Sequence, residues 1–390
     1  MVIASIDIQQ GKAVQLRQGR DLVLERDNPL ELAETFDRYG EVAVIDLDAA
    51  LGTGSNRDLI KSLLRKAECR VGGGIRTVEQ ARELVSLGAR KIIIGSQAFR
   101  DPANSAAFAL NTEFLAALAT GIGRERVMVA VDARKDAAGN YELVVDGWKT
   151  ATGLPLIETA QAVEPFVGEL LFTGVEREGT MTGIDQEEVR RLREALSCGL
   201  TVAGGVSTLE EIEALAAWGC DVQLGMALYT GKISLGEAFI RSLNWKKGAS
   251  PEGDLLPVIA QTPDGQVMMT GFADREAVAE SFSRGKLCFH SRTRHTLWMK
   301  GEHSGNTLGL RRFRADCDRD ALLAVVEPAG PVCHTGNYSC FEPGRRYTWE
   351  YLQAIIADRF RNPPPGSYTA TLDHTLVREK ILEEAAEVCT

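Results

Sequence analysis

Between residue 1 and about residue 245 the sequence alternates short β-branched runs with amphipathic helical stretches, eight times over. The candidate strands are 2–7, 42–46, 69–72, 91–95, 126–132, 169–174, 200–204 and 221–225, separated by helical segments such as TVEQARELVSLG and TLEEIEALAAWG. Eight such units over this length match a (β/α)8 barrel, a TIM barrel in common terms. An open doubly wound sheet is the alternative, and it rarely runs to eight units. An internal repeat favours closure: VGGGIRTVEQARELVSLGARKIIIG (71–95) is echoed by VAGGVSTLEEIEALAAWGCDVQLG (202–225), and the strand ends SID (5–7) and AVD (130–132) correspond. Asp7 therefore pairs with Asp132 across the duplication.

Past residue 245 the composition changes. The first 289 residues contain no histidine, whereas His290, His295, His303, His334 and His374 all lie beyond them. Cys288, Cys317, Cys333 and Cys340 cluster in the same region. The early part must do any acid–base work without imidazole, and the later part reads as a metal or thiol site in a reducing cytoplasm. A short polar stretch, KKGASPEGD (246–254), reads as a linker. It leads to a mixed α+β unit over 255–343 and a helical segment over 347–390. The N-terminus has no basic, cleavable leader, and no stretch reaches the ~18 apolar residues of a membrane span. A cytoplasmic protein without membrane attachment is expected. The net charge of −10 argues against nucleic acid as a partner.

Residues at the C-terminal ends of barrel strands face the active site of such folds. Asp7 and Asp132 hold these positions, and without histidine two facing carboxylates are the natural general base and acid. An acid working near pH 7 needs its pKa lifted from ~3.9 by roughly 3. Ordinary strand-end capping is the bland alternative. The glycines weigh against it. Gly73-Gly74 and Gly95-Ser96 follow the third and fourth strands, and Gly204-Gly205 and Gly225-Met226 follow the seventh and eighth. Each pair offers backbone N–H groups suited to phosphate. Two symmetric cradles point to a ligand with two phosphates.

The segments ASIDIQQGKAVQL, IDLDAALGTG, VGGGIRT, IGSQAF, VAVDARK, DGWKTATG, FTGVEREGT and AGGVSTLEEI together resemble ProFAR isomerase, the barrel enzyme of histidine biosynthesis. The resemblance covers residues 1–243 and implies an Amadori rearrangement of a bis-phosphorylated aminoaldose. It implies that Asp7 removes the sugar C2′ proton, that Asp132 is the acid opening the ribose ring, and that Thr173 positions it. It also makes Trp148 a substrate contact. Gln15 replaces an arginine of many relatives, and Glu178 replaces an aspartate. The paralogous cyclase barrel of the pathway also uses two aspartates. Gly147-Trp148 and the lack of a lysine after the first strand pair favour the isomerase.

In the second unit, DCDRD (316–320) alternates Asp316, Asp318 and Asp320 around Cys317, and CHTGNYSC (333–340) adds Cys333, His334 and Cys340. If DCDRD is extended, the aspartates project to one side and Cys317 to the other. Carboxylates suit Mg2+ and thiolates suit Zn2+. Three cysteines make an open zinc site with room for water, and a structural zinc ribbon is the alternative. From 290 to 314 basic residues outnumber acidic ones, which reads as a phosphate-binding strip or a solvated face.

The run from LLPVIAQ to CHTGNYSCF resembles phosphoribosyl-AMP cyclohydrolase, which implies hydrolytic opening of the adenine ring. By that resemblance Cys317, Cys333 and Cys340 bind zinc, Asp316, Asp318 and Asp320 bind magnesium, and His334 serves as base or proton shuttle. Arg292, Lys300, Glu302 and Ser304 line the nucleotide pocket, and Asn306 stands where many relatives have histidine. The zinc ligands of the family come from two subunits, so a homodimer acting on small phosphoribosyl nucleotides is expected.

SYTATL followed by REKILEEAAEV resembles the start of phosphoribosyl-ATP pyrophosphohydrolase, with Glu383, Glu384 and Glu387 fitting its metal motif as an incomplete magnesium site. An exposed helical hairpin is the bland alternative. A truncated reading frame without pyrophosphohydrolase activity is expected. The function expected of the whole is therefore two consecutive steps of histidine biosynthesis, with a cyclohydrolase on a catalytically degenerate barrel as the alternative. The acidic net charge and the DCDRD carboxylates argue against a zinc-dependent nucleic-acid module.

Overall fold

The computed structural model describes residues 1–100, 108–245, 254–346, 348–368 and 371–388, apart from the side chains of residues 350, 374, 381 and 384–388. The expected linker lies outside the described residues except for Asp254.

The first twelve strands are β1 (Val2–Gln9), β2 (Lys12–Arg17), β3 (Asp21–Arg26), β4 (Val42–Asp46), β5 (Cys69–Gly72), β6 (Lys91–Ile94), β7 (Val127–Lys135), β8 (Tyr141–Val145), β9 (Thr150–Pro155), β10 (Glu169–Gly174), β11 (Gly199–Ala203) and β12 (Asp221–Leu224). The parallel order β1-β4-β5-β6-β7-β10-β11-β12 closes where β12 pairs with β1, so the chain forms a (β/α)8 barrel. All eight strands read from the sequence are present. The duplication carries its backbone devices with it. Thr77 and Thr208 open matching helices (Val78–Ser86 and Leu209–Ala217) with capping boxes to Gln80 and Glu211. Gly73 and Gly204 both take positive φ, as do Gly88 and Gly219.

Two antiparallel excursions do not show in the βα periodicity. After Asp7, β1 turns back into the β2–β3 hairpin; after Asp132, β7 turns back into β8–β9. Alternating patterns of only five or six residues merge with the loops that carry them, so periodicity misses them. Both hairpins rise over the barrel mouth.

The barrel floor is polar. Arg70 is fully buried and reaches Glu169 Oε1 at 2.9 Å, Glu41 Oε2 at 2.6 Å and Thr201 Oγ1 at 3.3 Å, while Lys91 also pairs with Glu169. Burial opposes ionisation of Glu169, yet Arg70 and Lys91 pull its carboxyl down to about 2. Above this layer Ile93, Met128, Leu171 and Ala203 fill the barrel interior.

The second unit has a four-stranded sheet ordered β14 (Val267–Ala273), β13 (Leu256–Gln261), β18 (Leu322–Pro328), β17 (Leu308–Ala315), with a hairpin of β15 (Cys288–Ser291) and β16 (Thr296–Met299) beside it. It docks on the barrel floor, away from the mouth. Tyr39 and Phe239 of the barrel pack on the ring of Phe282, tilted and edge-on respectively, and that ring meets Phe313 at 5.4 Å. Arg312 pairs with Asp37 and Glu68, and Arg314 with Glu68. Two helices come after this sheet, Trp349–Arg361 and His374–Val388. Among the described residues no helix is long and apolar enough to cross a membrane.

Candidate functional site

Strand direction places Asp7, Asp132 and Thr173 at the barrel mouth, where register sets Thr173 directly beside Asp132. All three line a cavity of about 300 Å³, together with Glu178 and the cradle residues Gly73, Gly74, Gly95, Ser96, Gly204, Gly205, Gly225 and Met226. The structure thus brings every sequence-expected barrel residue into one pocket, Trp148 included.

The cradles are tight. A Cβ on Gly73 would lie 2.2 Å from the Asp46 carbonyl, and one on Gly74 2.6 Å from Ala49 backbone. No other residue fits at either position. Ser96 Oγ accepts the Asp146 N–H at 2.9 Å, which leaves its own proton for a ligand. Gly225 heads the short helix Met226–Tyr229. Beside it Gln15 is buried, its Nε2 without a hydrogen-bond partner among the described residues.

Burial lifts the Asp7 carboxyl to about 6, against the Ser5 hydroxyl that donates to it at 2.8 Å. Burial also raises Asp132, while Trp148 Nε1, donating at 2.8 Å, and Thr173 favour its charged form. Trp148 sits in the β8–β9 turn with φ +68, and its ring lies over Gly19 of the β2–β3 turn, so the two hairpins meet above Asp132. Glu178 is the group that sequence reasoning undervalued. Burial first, then the charges of Asp7 and Asp132, push its carboxyl up to about 8. Its Oε2 lies 3.1 Å from where a Cβ on Gly204 would be. Its place in the loop after β10, a strand-end loop of a barrel, was the available signal.

The second unit divides its expected residues between two ends of its sheet. DCDRD is the tight turn between β17 and β18 rather than an extended segment, because Asp316 Oδ1 accepts the N–H groups of Asp320 and Ala321 at 3.0 and 3.1 Å. The curl still brings oxygens of Asp316, Asp318 and Asp320 within 4.8 Å of one another. This hard-oxygen set fits a divalent cation such as Mg2+. Cys317 is exposed on that turn. Cys333, His334 and Cys340 lie beyond the far end of β18, whose seven residues span roughly 23 Å. Thr335 donates to Cys333 at 3.1 Å and lowers its thiol pKa, and Cys333 Sγ lies 3.9 Å from His334 Nδ1. These soft donors fit zinc, but within one chain Cys317 cannot join them.

The nucleotide-pocket residues separate likewise. Arg292 caps Phe272, 3.9 Å from the ring centroid, in a second cavity with His290 and Asp274. Lys300 lies at the opposite end of the β15–β16 hairpin, near Cys340, whose thiol is pushed up by burial and by Cys333 in spite of that charge. Beside it, Glu302 accepts the Met299 N–H at 3.3 Å and Ser304 accepts the Asn306 N–H at 3.3 Å. Asn306 closes against Gly301 and Gly330. The basic strip is corrected too: Arg312 and Arg314 face the barrel carboxylates and Arg311 pairs with Glu327, so that part holds protein rather than phosphate. In the last helix Glu383 pairs with Lys380 at 2.5 Å, and the side chains of Glu384 and Glu387 lie outside the described residues.

A closed barrel with three half-buried carboxyls between paired glycine cradles defines an enzyme of the (β/α)8 class built for a phosphorylated ligand. Residues 1–234 match the family model described as histidine biosynthesis protein, and residues 269–342 match phosphoribosyl-AMP cyclohydrolase. The chain belongs to the histidine biosynthesis protein family. It is 37% identical over 245 residues to the 1-(5-phosphoribosyl)-5-((5-phosphoribosylamino)methylideneamino)imidazole-4-carboxamide isomerase of Methanocaldococcus jannaschii, covering 61% of this chain and 97% of that protein. The isomerase of the same name from Thermus thermophilus is 37% identical over 249 residues, covering 62% and 99%, and that of Methanosphaera stadtmanae is 34% identical over 248 residues, covering 61% and 98%.

Proposed function

We propose that the chain catalyses two consecutive steps of histidine biosynthesis: hydrolytic opening of the adenine ring of phosphoribosyl-AMP, then Amadori isomerisation of the resulting ProFAR in the barrel. The observation that carries this reading is the joint presence of an intact carboxylate mouth and a cyclohydrolase domain on one chain. In the barrel, the cradles at Gly73-Gly74-Gly95-Ser96 and Gly204-Gly205-Gly225-Met226 hold the two phosphates. Asp7, ionised above about pH 6, removes the C2′ proton. The proton that opens the ribose ring at its ring oxygen comes from Glu178, which keeps its proton up to about pH 8. Asp132, to which the resemblance gives the acid's role, is held by Trp148 and Thr173, with burial raising its carboxyl and these two donors favouring the charged form.

In the second unit Asp316, Asp318 and Asp320 would hold Mg2+, and Cys333 and Cys340 would hold Zn2+ together with Cys317 of a second copy. Zinc held there would lower the pKa of a bound water and so supply the hydrolytic nucleophile. His334 beside Cys333 moves its proton, and Arg292, Lys300, Glu302 and Ser304 receive the nucleotide. The strand-length gap between Cys317 and the other cysteines supports a homodimer with shared sites. The helices Trp349–Arg361 and His374–Val388 follow the second unit, and the protein works in the cytoplasm.

The direct experiment feeds the purified protein phosphoribosyl-AMP and follows both products by mass. ProFAR followed by its ketose isomer is expected. ProFAR that accumulates unchanged points instead to a degenerate barrel, and no consumption of phosphoribosyl-AMP rejects the reading.

A further inference from the structure

Two glutamines in the barrel mouth each bury an amide atom without a hydrogen-bond partner among the described residues. Gln15, on β2, is 2% exposed, and its orphan is the donor Nε2. Gln223, on β12, leaves the acceptor Oε1 in the same state. Both side chains line the cavity that holds Asp7, Asp132 and Glu178. Gln15 rests its amide on the bare Cα of Gly225, where a Cβ would lie 2.7 Å from Oε1 and 3.6 Å from Nε2. Gln223 precedes Gly225 by two residues, so strand alternation puts both positions on one face, roughly 7 Å apart. A free donor and a free acceptor thus share one stretch of wall.

Buried amide atoms are rarely left open in this way, because an unmade hydrogen bond forfeits the full cost of desolvation. The two glutamines do not satisfy each other. A ligand group that accepts from Gln15 and donates to Gln223 completes both, and a primary carboxamide does so with its carbonyl oxygen and its N–H. A carboxylate accepts from Gln15 but sets its second oxygen against Gln223 Oε1, with no proton between them. Charge acts in the same direction. Among the described residues the cations of this cavity are Arg76 and Arg100, and both stand at the first cradle. Arg76 Nη1 donates to the Gly74 carbonyl at 3.2 Å, and Arg100 pairs with Asp146, whose N–H meets Ser96. The glutamine wall offers an anion no such partner.

We propose that Gln15 and Gln223 are specificity-determining residues of the barrel, a donor and an acceptor that together receive the neutral carboxamide on the substrate's imidazole and turn away a carboxylate in its place. The proposal rests on the reading of the barrel as the isomerase.

The test uses the full-length protein, calorimetry and two ribotides that differ only at this group, aminoimidazole carboxamide ribotide and the matching aminoimidazole carboxylate ribotide. Wild type should bind the carboxamide about tenfold more tightly or better. Gln15→Met and Gln223→Met keep the volume and lose the amide; each should weaken carboxamide binding about tenfold while inorganic phosphate binds as before. If one of them does not fold, the other carries the test. Gln15→Arg, which adds a cation, should shift the preference toward the carboxylate. Equal wild-type affinity for the two ribotides overturns the pair, and so does wild-type carboxamide affinity in a folded Met variant. A Gln15→Met protein that loses inorganic phosphate as well puts Gln15 in the phosphate cradle and overturns it too. Turnover of ProFAR reports separately on the isomerase reading: a wild type that binds the carboxamide through both glutamines yet leaves ProFAR unchanged rejects that reading alone.

Discussion

Three half-buried carboxyl groups line one cavity at the barrel mouth, and their surroundings differ. Asp7 has a single hydroxyl donor, Asp132 an indole and a hydroxyl, and Glu178 two negative neighbours and no compensating charge. The base must be ionised and the acid protonated, so isomerase kcat/KM should rise as pH climbs through about 6 and fall above about 8. Glu178→Gln should cost 10²- to 10⁴-fold in kcat, the usual range for a lost general acid, and remove the alkaline limb. A bell that survives this substitution unchanged moves the acid back to Asp132. The aspartates were legible because each ends a strand in a duplicated motif. Glu178 was not, because its pKa depends on two charges that are distant in sequence and adjacent only in the closed barrel.

At the scale of elements, the repeat proved a sound guide: capping boxes, positive-φ glycines and hairpin excursions all recur in both halves. The least legible element is the barrel floor. Arg70, Lys91, Glu41 and Glu169 come from separate strands and loops, and nothing in their spacing marks them as partners. Removing one member of a buried ionic network leaves its partner charged and unpaired. Arg70→Ala should therefore destabilise the barrel by about 3–5 kcal/mol, measured as a shift in urea midpoint with unchanged slope. Arg70→Lys should recover only part of this, since a single ammonium cannot serve Glu41 and Glu169 with a planar fork. The DCDRD segment teaches a related point. Period-two spacing suggests a strand, yet an aspartate that accepts backbone N–H groups four and five residues on closes a turn instead.

At the scale of the molecule, the two candidate centres are set apart. The isomerase mouth lies at the C-terminal ends of the barrel strands, while the second unit clasps their N-terminal ends. Intermediate passing between them crosses solvent, so an external pool of ProFAR should dilute label carried from phosphoribosyl-AMP; undiluted label requires a closed path. The division of the cysteines makes a second prediction. Cys317→Ser and Cys333→Ser should each lack cyclohydrolase activity alone. Mixing them under exchange should restore activity, because one mixed-dimer site then carries neither substitution. No recovery after confirmed subunit exchange contradicts shared zinc sites.

The sequence by itself determined the barrel, its duplication, the paired aspartates, the glycine cradles and the carboxylate- and cysteine-bearing motifs of the second unit. Each of these is written in local periodicity or short motifs, where neighbours along the chain act together. The tertiary structure decided which groups meet: Glu178 between two aspartates, Arg312 and Arg314 on the barrel instead of phosphate, and Cys317 a strand's length from Cys333. Those pairings arise from chain closure and domain docking, which bring together charges that local sequence order leaves unrelated.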